Sequence, residues 1–286
     1  MNGLLKIDKD ADYTSHDIDN MVKKRFNLPK VGHLGTLDPF ATGLLVVGIM
    51  EGTKALNLLD DSVKEYQASL QLFEETDSLD ITGNVTRKEP PHFISLESVQ
   101  AALKKMTSLT SQIPPAFSAK HIDGVRAYTL ARNGQAVSLP PKTVRIEKCD
   151  LLSYDPEKGI IDFVCTVSRG TYIRSIGRDI AYELNTFGYL RSLRRTKVGS
   201  LDLNGAVRIK DLQEANVISM EDLCCNVPVY QLEERDYSVV YNGHQITVKD
   251  HNSDFLFMKY KNDIIAIYKK SADGYICYKG FRHEQN

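Results

Sequence analysis

Asp38 lies in G-H-L-G-T-L-D-P-F-A-T-G-L-L, residues 32–45, among three glycines and one proline and just ahead of an apolar run. Asp-Pro pairs start turns, and Pro39 biases Asp38 toward extended dihedrals. The loop is therefore a stiff holder for one carboxylate. The second set of groups is S-R-G-T-Y-I-R at 168–174. Read as the extension of a strand over 160–167, it sets Tyr172 and Arg174 on one face, with Gly170 leaving space beside them. A ring and a guanidinium facing one cavity suit a flat, polar substrate. An arginine there can also pair with Asp38 in bidentate fashion, which keeps the carboxylate ionised and lowers its pKa. A reacting oxygen must be held within roughly 0.5 Å, and a stiff loop does that. Tyr66, in E-Y-Q-A-S, opens a strand and is suited to stack on a base or move a proton, although a strand tyrosine is commonly a core residue. His33, five residues before Asp38, is read as a wall of the same cavity and not as a metal ligand.

The elements that must position these groups follow from periodicity. Residues 4–8 form a first strand. T-S-H-D at 14–17 is a capping-box pattern opening an amphipathic helix over 16–27, with Ile18, Met21, Val22 and Phe26 at helical spacing. Residues 44–49 read as a buried strand, 65–73 as a strand ending in an acidic turn, and Leu96, Val99, Leu103 and Met106 as one face of a helix. Proline pairs bound an inserted loop element over 112–143. Ile176, Ile180, Leu184 and Phe187 predict a helix closed by Gly188. An acid-rich connector spans 211–236, and beyond it short β-type runs, beginning with S-V-V-Y at 238–241, predict a small all-β second domain.

Composition narrows the class. The 286 residues are 42% hydrophobic and 26% charged, enough for a sizeable core, with a net charge of −1. No apolar run approaches a membrane span, and no signal-peptide core opens the chain. Five scattered cysteines without C-x-x-C spacing fit a reduced cytosolic chain, and no His/Cys/carboxylate spacing suggests zinc. The near-zero charge hides segregation. Arg169, Arg174, Arg178, Arg191, Arg194, Arg195 and Lys197 face only Asp179 and Glu183 in their stretch, and Lys23, Lys24, Arg25 and Lys30 precede the Asp38 loop. These are solvated faces or, if both border one cleft, a phosphate-binding groove.

The Asp38 loop resembles the catalytic loop of the TruB family, the bacterial tRNA pseudouridine-55 synthases. The resemblance continues in N-G-L-L-K-I-D-K, T-K at 53–54, K-E-Y-Q-A at 64–68, T-D-S-L-D-I-T-G at 76–83, and I-P-P-A-F-S-A-K with G-V-R-A-Y-T-L-A-R-N-G at 113–134. S-R-G-T-Y-I-R-S at 168–175 and L-R-R-T-K-V-G at 193–199 complete it, all in the family's order over about the first 210 residues. It implies an α+β pseudouridine synthase fold: a mixed, mostly antiparallel central sheet flanked by helices and loops. The catalytic domain would span 1–230 and a small β domain, PUA-like, 231–286. It implies a guide-independent enzyme that flips a T-arm uridine from its stack, breaks the N1–C1′ bond and rejoins the base through C5, with no cofactor or metal. Asp38 matches the family's essential aspartate, Tyr66 the tyrosine that stacks on uracil and moves a proton, and Arg174 the arginine paired with the carboxylate. Tyr172 and Leu193 match pocket residues, and His33 the histidine beside the extruded nucleotide. Arg194, Arg195 and Lys54, within matching motifs, count as expected substrate-binding residues, and 112–143 as the clamp on the T-loop. The expected partner is tRNA, met in the cytoplasm by a monomer. A tRNA-binding folding factor is the alternative, and a synthase core serving guide RNAs a third reading. The chain departs from the pattern at Asp10 and Asp12, where proline and glycine are usual, at Leu34, and at Glu75, where a basic residue is frequent.

Overall fold

The structure, a computed structural model, describes residues 1–59, 63–117, 121–122, 125–126, 139–224, 226–248 and 251–281. Strand β1 (Gly3–Lys9) leads into helix α1 (Ser15–Arg25). The helix starts where the sequence dictates: Thr14 Oγ1 accepts from Asp17 N at 3.0 Å, and Asp17 Oδ2 accepts from Thr14 N at 2.8 Å. There follow β2 (Val31–Leu34), β3 (Thr42–Ile49), the single turn α2 (Gly52–Ala55), β4 (Lys64–Leu72), β5 (Glu74–Thr76), β6 (Val85–Lys88) and α3 (Leu96–Met106). Four short strands come next, β7 (Ser111–Gln112), β8 (His121–Ile122), β9 (Val125–Arg126) and β10 (Lys142–Thr143), then the long β11 (Ile146–Asp155) and β12 (Ile160–Val167). Helix α4 (Ile173–Glu183), β13 (Gly188–Val198) and β14 (Leu201–Asp202) end the first sheet. The remainder holds α5 (Met220–Leu223), β15 (Val229–Gln231), α6 (Glu234–Tyr241), β16 (Phe255–Tyr260), β17 (Asp263–Ser271) and β18 (Gly274–Gly280). Most of the insertion expected at 112–143 lies outside the described residues; at its base β7 pairs with β10.

The large sheet runs β1-β3-β13-β4-β12-β11, with β2 on β3 and β14 on β13. Its pairings are antiparallel except β3 with β13. β2 and β13 share one edge of β3: β2 pairs with Val46–Ile49 and β13 with Thr42–Gly43. The Asp38 loop leaves the sheet at this gap. Gly43, at φ +99°, lets the strands close there, since a Cβ would come 2.3 Å from the Arg195 carbonyl oxygen.

Helices α1, α3 and α4 cover one face of the sheet, burying Ile18, Val22, Val99, Leu103, Ile176 and Ile180 against Leu5, Ile7, Leu70 and Phe163. The other face, through Leu4, Leu44 and Val46, packs on Phe257, Ile264 and Ile267 of the second sheet, β15-β16-β17-β18. That sheet's outer face is covered by Val240 of α6.

Three expectations change. Residues 168–172 do not extend β12. Thr171 N donates to Ser168 O, and Gly170 at φ +75° turns the chain, so Arg174 begins a helix and strand alternation does not apply. The end of α4 is set by Asn185 at φ +58°, not by Gly188, which opens β13 where a Cβ would come 2.9 Å from Ala181 and Leu70. S-V-V-Y is the end of helix α6: Tyr237, Val240 and Tyr241 share a helical face, and Glu234 and Asp236 suit the positive N-terminal turn. The second region is therefore not all-β. Across the expected boundary at 230/231 runs β15, whose three residues pair with β16.

Candidate active site

The site is built at the sheet gap. A cavity of about 840 Å³ is lined by Thr36, Asp38, Tyr66, Ser78, Asp80, Tyr172, Arg174 and Leu193, among others. Asp38 projects from the loop with a third of its side chain exposed, while the Arg174 side chain is 5% exposed. Arg174 meets it side-on: Nη2 donates to Asp38 Oδ1 at 2.9 Å, and Nε lies 2.9 Å from Oδ2. The rest of the guanidinium is held as firmly. Nη1 donates to the Ser78 carbonyl at 2.8 Å and lies 3.4 Å from Asp80 Oδ2, and Nη2 donates to the Phe117 carbonyl at 2.9 Å. Asp80 is fixed in turn, accepting from Ser78 Oγ, Thr82 N and Thr82 Oγ1.

One arginine thus faces two carboxylates. The pairing alone lowers the Asp38 pKa, as the sequence suggests, but the net direction is upward. Burial at the pocket floor disfavours the charged form most, and the Asp80 carboxylate adds repulsion. Arg174 and Lys9 pull in the opposite direction without cancelling them. The result is a carboxylate held in place yet less stabilised as an anion than a free one.

Arg174 reaches this point because α4 starts right after Tyr172, an N-cap residue whose side chain makes no capping bond. Gln112 clamps this residue's backbone instead: Oε1 accepts from Tyr172 N at 2.9 Å, and Nε2 donates to Tyr172 O at 3.1 Å. Tyr66 sits on the core-facing row of β4 with Ala68, Leu70 and Leu72, half-buried where that row opens into the cavity. Leu193 of β13 forms the wall shared with a neighbouring cavity of about 670 Å³.

The remaining expected residues lie elsewhere. His33 is outside the cavity lining; Nδ1 lies 2.7 Å from Asp19 Oδ2 and Nε2 3.3 Å from Thr36 Oγ1, so it buttresses a wall residue. Arg194 grips Asp8 bidentately at 2.9 and 2.8 Å and lines the neighbouring cavity. Arg195 is 1% exposed and donates to the carbonyls of Leu44, Gly35 and Leu34, so it cannot reach a phosphate; it seals the sheet gap behind the loop. Lys54 pairs with Glu51, donates to the Gly280 carbonyl and lies 5.6 Å from the Phe281 ring, against the second sheet and outside the cavity lining.

Three residues escaped the sequence reading. Asp80 and Gln112 are two of them. The third is Lys9, whose Nζ donates to the carbonyls of Asp10, Tyr13 and Pro39 at 2.9, 2.6 and 3.1 Å. It ties the turn after β1 to the residue beside Asp38. Burial lowers its pKa to about 8 against the opposing pull of Asp12, Asp38, Asp10 and Asp17. A signal existed: in the alternation of β1, Lys9 shares the inward face of Leu5 and Ile7. Among the described residues, no three His, Cys, Asp or Glu side chains cluster as a metal site.

The profile of the TruB family pseudouridylate synthase (N terminal domain) matches residues 23–173. The tRNA pseudouridine synthase B of Borrelia garinii subsp. bavariensis is 37% identical over 267 residues, covering 93% of this chain and 94% of the relative. That of Acholeplasma laidlawii is 37% identical over 270 residues, covering 94% and 95%. The chain belongs to the TruB family. Its fold is also that of a chain in a Cbf5-Nop10-Gar1 complex, with a TM-score of 0.71 at 21% identity, covering 98% of this chain and 85% of that one. A second match is an H/ACA RNP bound to a substrate RNA containing 2′-deoxyuridine, with a TM-score of 0.68 at 19% identity, covering 99% and 86%.

The structure accounts for two departures from the TruB pattern. Asp12 takes φ +69°, a conformation that glycine adopts without strain, and its N–H donates to the Pro39 carbonyl at 2.9 Å. Glu75 is buried and accepts from Tyr182 Oη at 2.6 Å, so this loop is built around an internal carboxylate.

Proposed function

We propose that this TruB-family enzyme isomerises the uridine at position 55 in the T-loop of tRNA to pseudouridine, without a guide RNA. The observation that carries the reading is the side-on pairing of Asp38 with Arg174, 2.9 Å on both arms, at the floor of an open cavity. A duplex or stacked loop cannot present a base edge to such a floor, so the nucleotide must be everted into the cavity. Tyr66 and Tyr172 offer ring surface for the flat base, and Leu193 closes its other side. Asp38 presents an anionic oxygen to the carbon that becomes electron-poor as the N1–C1′ bond opens. The uracil turns, C5 bonds to C1′, the C5 proton leaves and N1 gains one, so the product is an isomer and the balance needs no co-reactant. In this reading Tyr66, which lines the cavity, moves that proton.

The names of the relatives, each a tRNA pseudouridine synthase B, support the tRNA substrate. Cross-linking of both carboxylates to one buried guanidinium supports turnover over RNA grip alone, because binding needs no such floor. No helix among the described residues is long and apolar enough to cross a membrane. A monomer acting where tRNA matures, in the cytoplasm, completes the reading. The test is incubation with an unmodified tRNA transcript, followed by carbodiimide treatment and primer extension. A single stop in the T-loop is expected, absent for Asp38→Asn while filter binding persists. Conversion by the Asn variant, or stops elsewhere, would sink the assignment.

A further inference from the structure

We propose that the C-terminal end of α1 is a contact surface for the phosphate backbone of the RNA flanking the everted nucleotide; the proposal rests on the reading of tRNA as substrate. Lys23, Lys24 and Arg25 close the helix and Lys30 follows it. All four side chains are exposed, and among the described residues none is engaged in an ion pair. The carboxylates of α1 lie in its other half and are already committed, Asp17 to the cap at Thr14 and Asp19 to His33. Val22 is buried, so at 100° per residue Lys24 points away from the core with Lys23 and Arg25 flanking it. The three form a fan over the end of the helix.

Cations in a last helical turn complement the helix dipole, which is the ordinary reason to find one there. That reason does not reach Lys30, which lies five residues beyond the helix, nor does it require three charges in succession. Position supplies the second argument. Thr14, at the start of α1, and Thr36, just after β2, both line the Asp38 cavity. The basic end is therefore one helix length from Thr14 at the cavity lining, about 16 Å for eleven residues. RNA with one nucleotide in the cavity carries regularly spaced phosphates over that distance. A polyanion is the occupant that four unpaired cations fit. An apolar partner finds little there, since Phe26 and Leu28 are turned partly into the core.

The experiment measures binding of unmodified tRNA over a series of salt concentrations. It compares the unsubstituted protein, the triple variant Lys23→Gln/Lys24→Gln/Arg25→Gln, and the control Lys269→Gln/Lys270→Gln at another exposed pair. Each phosphate contact contributes about 0.7–0.9 to the slope of log K against log salt. The triple variant should lose about two from that slope and bind roughly tenfold more weakly at low salt, with the control unchanged. Lys30→Gln, outside the helix, should lose somewhat under one and guards against damage to α1. An unchanged slope in both α1-end variants, or an equal loss in the control, overturns the surface. If the unsubstituted protein fails to modify tRNA, the functional reading falls with it; if it modifies tRNA and the variants keep the slope, only the surface falls.

Discussion

Arg174 and Arg195 are both buried, both positively charged and both drawn from the same basic stretch, yet their surroundings differ in kind. Arg174 faces the carboxylates of Asp38 and Asp80 and an open cavity. Arg195 faces only the carbonyls of Leu34, Gly35 and Leu44 behind the loop. Neutralisation by ionisable partners couples a charge to proton equilibria and to whatever enters the cavity. Neutralisation by backbone dipoles makes the same side chain a brace. The Asp38 loop is thus held at its middle by one guanidinium that reacts to chemistry and at its two ends by one that does not.

The largest effect expected on the Arg174 side is that of Asp38→Asn. It keeps the shape and removes the anion, so turnover should fall by about 10³-fold or more while RNA affinity changes little. Single-turnover assays beside filter binding check the split. Arg174→Ala comes next. It leaves two carboxylates uncompensated, which for a buried pair costs about 3–5 kcal/mol of stability by denaturant titration. It should also raise the Asp38 pKa further. Activity requiring the ionised form is lost as pH falls through that pKa, so the acid limb of the pH–rate profile should move to higher pH. An unmoved limb would break the contrast drawn between the two arginines.

Arg195→Met probes the other side. It strands three carbonyls, and a loss of about 2–4 kcal/mol is expected, with the pH profile of the residual activity unchanged. A shifted limb here would show that the brace is electrostatically coupled after all. Lys9→Met lies between the regions. In the folded protein Lys9 titrates near 8, below its ordinary 10.5. The unfolded chain therefore holds more protons between those values, and the Lys9 contribution to stability rises with pH across that window. In Lys9→Met that rise should vanish from urea melts taken at pH 7.5 to 10. The smallest effect is expected for His33→Gln, a few-fold in KM through a loosened Thr36, with kcat preserved.

Much of the frame was legible because local physics and tertiary demand agree. The Thr14–Asp17 cap, the strands around 44–49 and 160–167, and the α3 face all form where spacing places them. Legibility failed where the two part. S-V-V-Y has strand-forming residues, but the acidic turn before it and the packing of Val240 on the second sheet make it helical. At 168–172 one glycine at positive φ ends the alternation on which the Tyr172–Arg174 argument stood, although both residues still reach the cavity from the start of α4. Lys54 and Arg195 were drawn toward the substrate by their motifs. Nothing in a motif says which way a cation points once the sheets have packed.

By itself the sequence determined the chemistry-bearing groups, the stiffness of the loop that carries Asp38, the family and most element boundaries, because these depend on residue type and on neighbours a few positions away. Only the tertiary structure decided that Arg174 is shared between Asp38 and Asp80, that Gln112 clamps the residue before its helix, and that Lys9 and Arg195 hold the loop from behind. Those contacts join residues 30 to 160 positions apart, and the sign of the Asp38 shift follows from them. Burial and the second carboxylate exist only once distant strands have met, so no reading of the loop alone could find that its anion is held at a cost.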